Sequence, residues 1–158
     1  MNDIDPKVLE GLVRKVLNEI AEESCCGTGS GGACCGGDRH VDKSGIMSIK
    51  LPRIKPEPFN TGKPGDRVFL KDLVSLDESP RLGFGVMEMD RSSFDWTLNY
   101  DEVDYIIEGR LEIIIDGRKT AADAGEIIFI PKGSSITFSA PGFTRFMYTV
   151  FPADWANQ

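Results

Sequence analysis

From Gly45 onward the chain is a run of strand-length segments punctuated by turn residues, with no helical apolar period between them. The segments that read as strands are 46–51, 67–70, 82–90, 94–98, 102–108, 110–115, 127–130, 135–139 and 144–151. Within 110–115, Leu111, Ile113 and Ile115 share one face, and Glu112 and Ile114 share the other. Asp116-Gly117 follows directly and suits a two-residue type I′ hairpin. Many short strands without helices can bury their apolar faces only against one another, as a sandwich or barrel. A span of about 110 residues suffices for one closed core.

The first 44 residues have a different texture. Residues 6–23 read as a helix, with Asp5 as N-cap and Pro6 at the first helical position. Val8, Leu9, Leu12, Val13, Val16, Leu17 and Ile20 form one apolar stripe at a 3.6-residue period. A helix of about 18 residues is marginal alone in water, so the stripe needs a partner surface. A glycine-rich segment with all four cysteines follows, Cys25, Cys26, Cys34 and Cys35. Its glycines make ordering entropically costly, which predicts a flexible linker over 24–44. The Cys-Cys-x7-Cys-Cys spacing differs from the C-x2-C pairs of zinc sites, and exposed thiols without an assigned role are expected.

Hydrophobic residues make up 41% and charged residues 27% of the chain, as in soluble globular proteins. The net charge is −7, −3 over residues 1–44 and −4 over 45–158, which speaks against a nucleic-acid footprint. No apolar run approaches the roughly 20 residues that span a bilayer. The acidic start lacks the basic region of a secretory signal, so an intracellular protein is expected.

Two spacings stand out in the strand-rich part. Glu102 is followed after six residues by Gly109, and Gly125 after five residues by Pro131-Lys132-Gly133. Glycines at such strand ends allow a positive φ or a close backbone approach, and Pro131 cannot continue a ladder. Both spacings, in order and with a hairpin between them, resemble the paired motifs of the cupin superfamily, G(X)5HXH(X)3–4E(X)6G and G(X)5PXG(X)2H(X)3N. The stretches FDWTLNYDEVDYIIEGRLEI (94–113), AGEIIFIPKGSSITF (124–138) and RFMYTVFPADW (145–155) narrow the likeness to the ethanolamine-utilisation EutQ family. The implied architecture is all-β: a cupin-type double-stranded β-helix, or jelly-roll barrel, over 45–158, preceded by the helix of 1–23 and its linker.

That resemblance also implies a homodimer and a place in an ethanolamine-degrading bacterial microcompartment, within its lumen or at its shell in the cytoplasm. Some members of the family are described as acetate kinases, interconverting acetyl phosphate and ADP with acetate and ATP. The tethered helix is similar to the peptides that route cargo into such compartments, which makes shell or cargo proteins its expected partners. The alternatives are a non-catalytic cargo, scaffold or assembly protein with a metal-free ligand pocket, and a metal-free isomerase or sugar-binding barrel. Neither nucleic acid nor membrane is an expected partner.

The chain departs from the cupin pattern at its chemistry. The first-motif histidines fall at Trp96 and Leu98, or at Asp95 and Thr97 with one more intervening residue, and the second-motif histidine falls at Ile136. His40 is the only histidine. Of the usual ligands Glu102 alone remains, and one carboxylate does not hold a first-row metal. No cofactor is therefore expected through the histidine site, and Mg-ATP only if the protein is a kinase.

Alternation puts Tyr100, Glu102, Asp104 and Ile106 on one strand face. If that face looks into the barrel, Glu102 lies among Trp96, Leu98 and Ile136, where desolvation raises its pKa. Glu102, Tyr100 and Asp104 are thus the candidate catalytic groups, with Trp96 and Tyr148 as candidate substrate contacts. The bland alternative is a buried Glu102 held by backbone N–H groups or by Tyr100 or Tyr148. Lys132, Ser134 and Ser135 could touch a phosphate, although a polar turn at a strand end accounts for them equally. Arg110 and Arg145 read as strand-face charges paired with glutamates. Residues 60–66 are not a Walker loop.

Overall fold

The computed structural model describes residues 37–157, in two units that divide after Lys50. The expected helix over 6–23 and all four cysteines lie outside the described residues. In the first unit, β1 (Arg39–Val41) and β2 (Met47–Ile49) form an antiparallel hairpin, with Arg39 opposite Ile49. The expected boundary at 44/45 falls in the turn of this hairpin. The linker predicted over 24–44 therefore includes a paired strand from Arg39 onward.

The second unit is an antiparallel sheet of seven strands. They are β3 (Glu57–Pro58), β4 (Val68–Asp72), β5 (Gly83–Thr97), β6 (Asp101–Ile115), β7 (Arg118–Asp123), β8 (Ile127–Ile130) and β9 (Ser135–Phe151). The order is β3-β4-β5-β9-β6-β7, with β8 on β6. Three strands that read as pairs of short ones are continuous and much longer than the usual 5–6 residues. β6 lies beside β8 over Glu102–Tyr105 and beside β7 over Arg110–Ile115. Its two halves thus belong to different parts of the rolled sheet.

Bends at particular residues permit this. In β5 the register slips between Asp90 and Ser92, where Arg91 takes φ 46°. The Ser92 hydroxyl donates to the Asp90 carbonyl and accepts from the Arg67 N–H, covering backbone groups freed by the bulge. In β6 the slip falls around Gly109, φ 77°, beside Thr144 of β9. Asp116 and Gly117 take φ 49° and 73°, the double positive φ of the expected I′ turn.

Strand parity fills the interior. Met89, Leu98, Ile106, Leu111 and Phe146 are all 0% exposed in this core, and Val86, equally buried, lies on the other face of β5. Arg145 pairs with Glu88 and donates to the carbonyls of Leu51 and Ile54, closing the N-terminal edge of the unit. Arg110 pairs with Asp123 and Glu112. Both arginines are the structural charges that the strand pattern suggested.

Candidate functional site

The alternation Tyr100, Glu102, Asp104, Ile106 is buried throughout, while 101, 103 and 105 are exposed. Glu102 therefore points inward, 6% exposed, on a strand held between β8 and β9. It is part of the wall of a cavity of about 330 Å³, counted to its solvent-filled mouth. Phe59, Leu70, Met87, Phe94, Trp96 and Tyr100 line it, together with Phe138, Tyr148, Val150 and Trp155.

Behind Glu102 sits Asp104, 0% exposed, with neither carboxyl oxygen meeting an N–H or hydroxyl donor. The group facing it is the Glu102 carboxyl, and the two bond when one of them carries a proton. Burial raises Glu102 to about 7. Burial and the Glu102 charge push Asp104 well above the usual carboxylate range. Two carboxyls in an apolar wall cannot both ionise cheaply, so near neutral pH the pair shares a proton.

The aromatic groups have their polar edges committed. Trp96 Nε1–H donates to the Tyr100 hydroxyl at 2.8 Å. Tyr148 donates to Asp72 Oδ1 at 2.6 Å, and Trp155 Nε1–H reaches the same oxygen at 3.4 Å. Burial raises both phenols, with the Glu102 charge adding at Tyr100 and the Asp72 bond at Tyr148. Neither phenol ionises at physiological pH.

Gly85 makes the Tyr148 arrangement possible. It pairs with Asp72 on one side and Tyr148 on the other, and the phenol crosses over it to reach Asp72. A Cβ at Gly85 would lie 2.1 Å from Tyr148 Oη and 2.6 Å from the Lys71 carbonyl. Gly85→Ala is thus expected to expel the ring from the cavity wall and lower stability by about 2 kcal/mol, the scale of an overpacked core. Urea unfolding measures this, and an unchanged midpoint would show that the sheet absorbs the methyl group.

The structure brings Trp96, Tyr100, Glu102 and Tyr148 together at the cavity, with Asp104 directly behind. Leu98 and Ile136, at two of the cupin histidine positions, are buried in the same core. Lys132, Ser134 and Ser135 do not line the cavity. Lys132 and Ser135 are exposed. The Ser134 hydroxyl donates to the Pro131 carbonyl, and the Ser135 hydroxyl pairs with Thr97. Phe59, Asp72, Gly85 and Trp155 escaped sequence reasoning. Only Trp155 left a trace there, in the terminal FPADW. Among the described residues no group of three or more His, Cys, Asp or Glu side chains converges as a metal site would require.

The family model described as ethanolamine utilisation protein EutQ matches residues 4–157. The chain belongs to the EutQ family. Over its whole length it is 52% identical to a Clostridioides difficile protein named acetate kinase EutQ, covering 98% of that protein. A Salmonella typhimurium protein of the same name is 41% identical over 73% of this chain, which spans about half the length of that relative. Among solved structures, the Clostridium difficile EutQ protein superposes with a TM-score of 0.74, at 60% identity over 76% of this chain and 90% of its own. The cupin domain of Schizosaccharomyces pombe Cnp3 superposes with a TM-score of 0.53 at 16% identity, over 70% of this chain and 77% of its own, and shares the fold alone. The barrel of this EutQ-family chain is thus of the cupin type, and, His40 being the only histidine of the chain, it carries none at the cupin ligand positions. Among the described residues no helix is long and apolar enough to cross a membrane.

Proposed function

We propose that the protein is an acetate kinase of ethanolamine utilisation, acting within or at the shell of a bacterial microcompartment. The observation that carries this reading is the end-to-end similarity to a relative bearing that name. The acyl end of the substrate lies in the cavity, against Glu102 and the Tyr100 hydroxyl, with a protonated Asp104 behind Glu102. Trp96 and Tyr148 form its walls. A protonated Glu102 donates to a carboxylate oxygen. The segment 6–23 serves as the routing helix. Ile127 and Phe129, 64% and 61% exposed beside Val103 and Tyr105, favour a homodimer through the outer face of β6 and β8.

The described residues offer no cradle for the phosphates of Mg-ATP. No lysine or arginine lines the cavity. The loop N–H groups of Lys132, Gly133 and Ser134 are spent on Asp101, Leu98 and Pro131. Phosphoryl transfer needs positive charge at the moving group, so no step through the nucleotide follows from these residues. This mismatch favours a second reading, a non-catalytic cargo, scaffold or assembly protein with a ligand pocket. A coupled assay for ATP formation from acetyl phosphate and ADP separates the two. Under the kinase reading the native chain turns over, while Glu102→Gln and Tyr100→Phe lose at least about tenfold in kcat/KM. Absence of turnover in the native chain selects the second reading.

A further inference from the structure

The ionisable groups that face the cavity are of one kind. Glu102 and Asp104 come from β6, Tyr100 from the turn before it, Tyr148 from β9, and Asp72 from β4 behind the Tyr148 hydroxyl. All are acids, and no lysine, arginine or histidine stands in the wall. The N–H donors at the rings are already used, by Tyr100 and Asp72 as acceptors. A bound group therefore meets carboxyl oxygens, the Tyr100 hydroxyl and aromatic carbon.

Phe59, Trp96, Tyr100 and Trp155 meet at centroid distances of 5.9–6.5 Å, tilted or edge-on at 50–63° rather than stacked. Ring faces attract cations through their quadrupole, most strongly where water is excluded. Beside them is a carboxyl more than nine-tenths buried, bonded to a second carboxyl whose oxygens meet no N–H or hydroxyl donor. A buried carboxylate is stable only when paired, and among the described residues nothing cationic pairs with it.

We propose that this cavity is a binding site for a small primary ammonium ion, its nitrogen held by the Glu102 carboxylate and by the faces of Trp96, Tyr100 and Trp155. A primary ammonium can place its N–H groups on the Glu102 carboxylate, whereas a trimethylated one has no N–H to give. Below about pH 7 the ammonium displaces the proton on Glu102 while Asp104 keeps its own, so binding there releases a proton to solvent. That proton sorts the ligands: protonated Glu102 receives a carboxylate, and ionised Glu102 receives an amine. The inference does not rest on kinase activity. If that activity exists, the amine competes with the acyl substrate.

The test is calorimetric titration of the native full chain with 2-aminoethanol at pH 6, 7 and 8, with ethylene glycol and tetramethylammonium as comparators. Affinity is expected to weaken about fivefold from pH 7 to pH 6, because proton and amine compete for one carboxylate that titrates at about 7. Heats measured at pH 6 in two buffers of different ionisation enthalpy are expected to show a proton released. The Glu102→Gln chain, verified as folded by circular dichroism, is expected to lose binding. Tetramethylammonium or ethylene glycol binding as well as 2-aminoethanol, an affinity flat or falling from pH 6 to 8, or no saturable binding overturns the proposal. Turnover of acetyl phosphate without amine binding removes this inference alone. Amine binding without turnover removes the kinase reading alone.

Discussion

The doubly substituted chain Glu102→Gln, Asp104→Asn is expected to exceed the native chain in stability at pH 8 by about 3 kcal/mol, and to lose that advantage near pH 4. Folding lifts Glu102 from its ordinary value of 4.5 to about 7, because burial disfavours the charged form. The folded chain then keeps a proton that the unfolded chain has released. Stability accordingly falls as pH rises from about 4.5 to 7 and levels off above, at about 1.4 kcal/mol for each unit of the gap. Asp104, raised by burial and by the Glu102 charge, acts in the same direction. Glu57 and Glu112 are held below their usual range by bonds to Lys71 and Lys119, so their contribution is lost at the acid end instead. The two amides cannot ionise and can bond to each other. Urea titrations at pH 5, 6, 7 and 8 measure the effect. A native midpoint that stays level across this window, matching the variant's, would mean that the pair carries no shared proton.

Gly109→Ala is expected to cost about 3 kcal/mol or more and to lower Tm by roughly 10–20 °C. Two penalties coincide at this residue. Its φ of 77° lies in the left-handed region, which costs an L-residue about 1–2 kcal/mol. Its Cβ would also fall 2.0 Å from the Phe143 carbonyl oxygen and 3.0 Å from the Thr144 Cα, both backbone atoms that no rotamer change can move aside. The crossing of β6 over β9 is pinned there: the Gly109 carbonyl accepts from Ala124, and the Thr144 hydroxyl donates to the Glu108 carbonyl. Gly117→Ala is the internal control, with a φ of 73° and nothing within 4 Å of its Cβ. It is expected to cost only the conformational term, about 1 kcal/mol. Equal thermal shifts for the two variants would refute the close-approach argument.

Much of the barrel could be read in advance because strand faces are written locally. Alternation at Tyr100, Glu102, Asp104 and Ile106 put the carboxyls on the inner face, and Asp116-Gly117 announced its own turn. The spacing Gly125 to Pro131 brackets β8, whereas Glu102 to Gly109 runs along the first half of β6 to its register slip. Strand lengths were less legible. Segments 82–90 and 94–98 are one strand, since a bulge at Arg91 bends a ladder without ending it. β7, over Arg118–Asp123, was missed because Lys119, Thr120 and Ala121 carry no apolar alternation, and it is an edge strand whose only ladder partner is β6.

The sequence alone determined the fold class, the sharing of one strand face by Tyr100, Glu102, Asp104 and Ile106, and the absence of histidine from every candidate cupin ligand position. Only the tertiary structure decided which groups meet at the cavity. Asp72 receives Tyr148 from 76 residues away, and Trp155 closes against Phe59 and Trp96. A strand's own pattern specifies which side is buried, whereas its partners are chosen by register with strands distant in the chain. For the same reason the loop of Lys132, Ser134 and Ser135, polar enough in sequence to suggest a phosphate contact, spends its donors on its own strand ends.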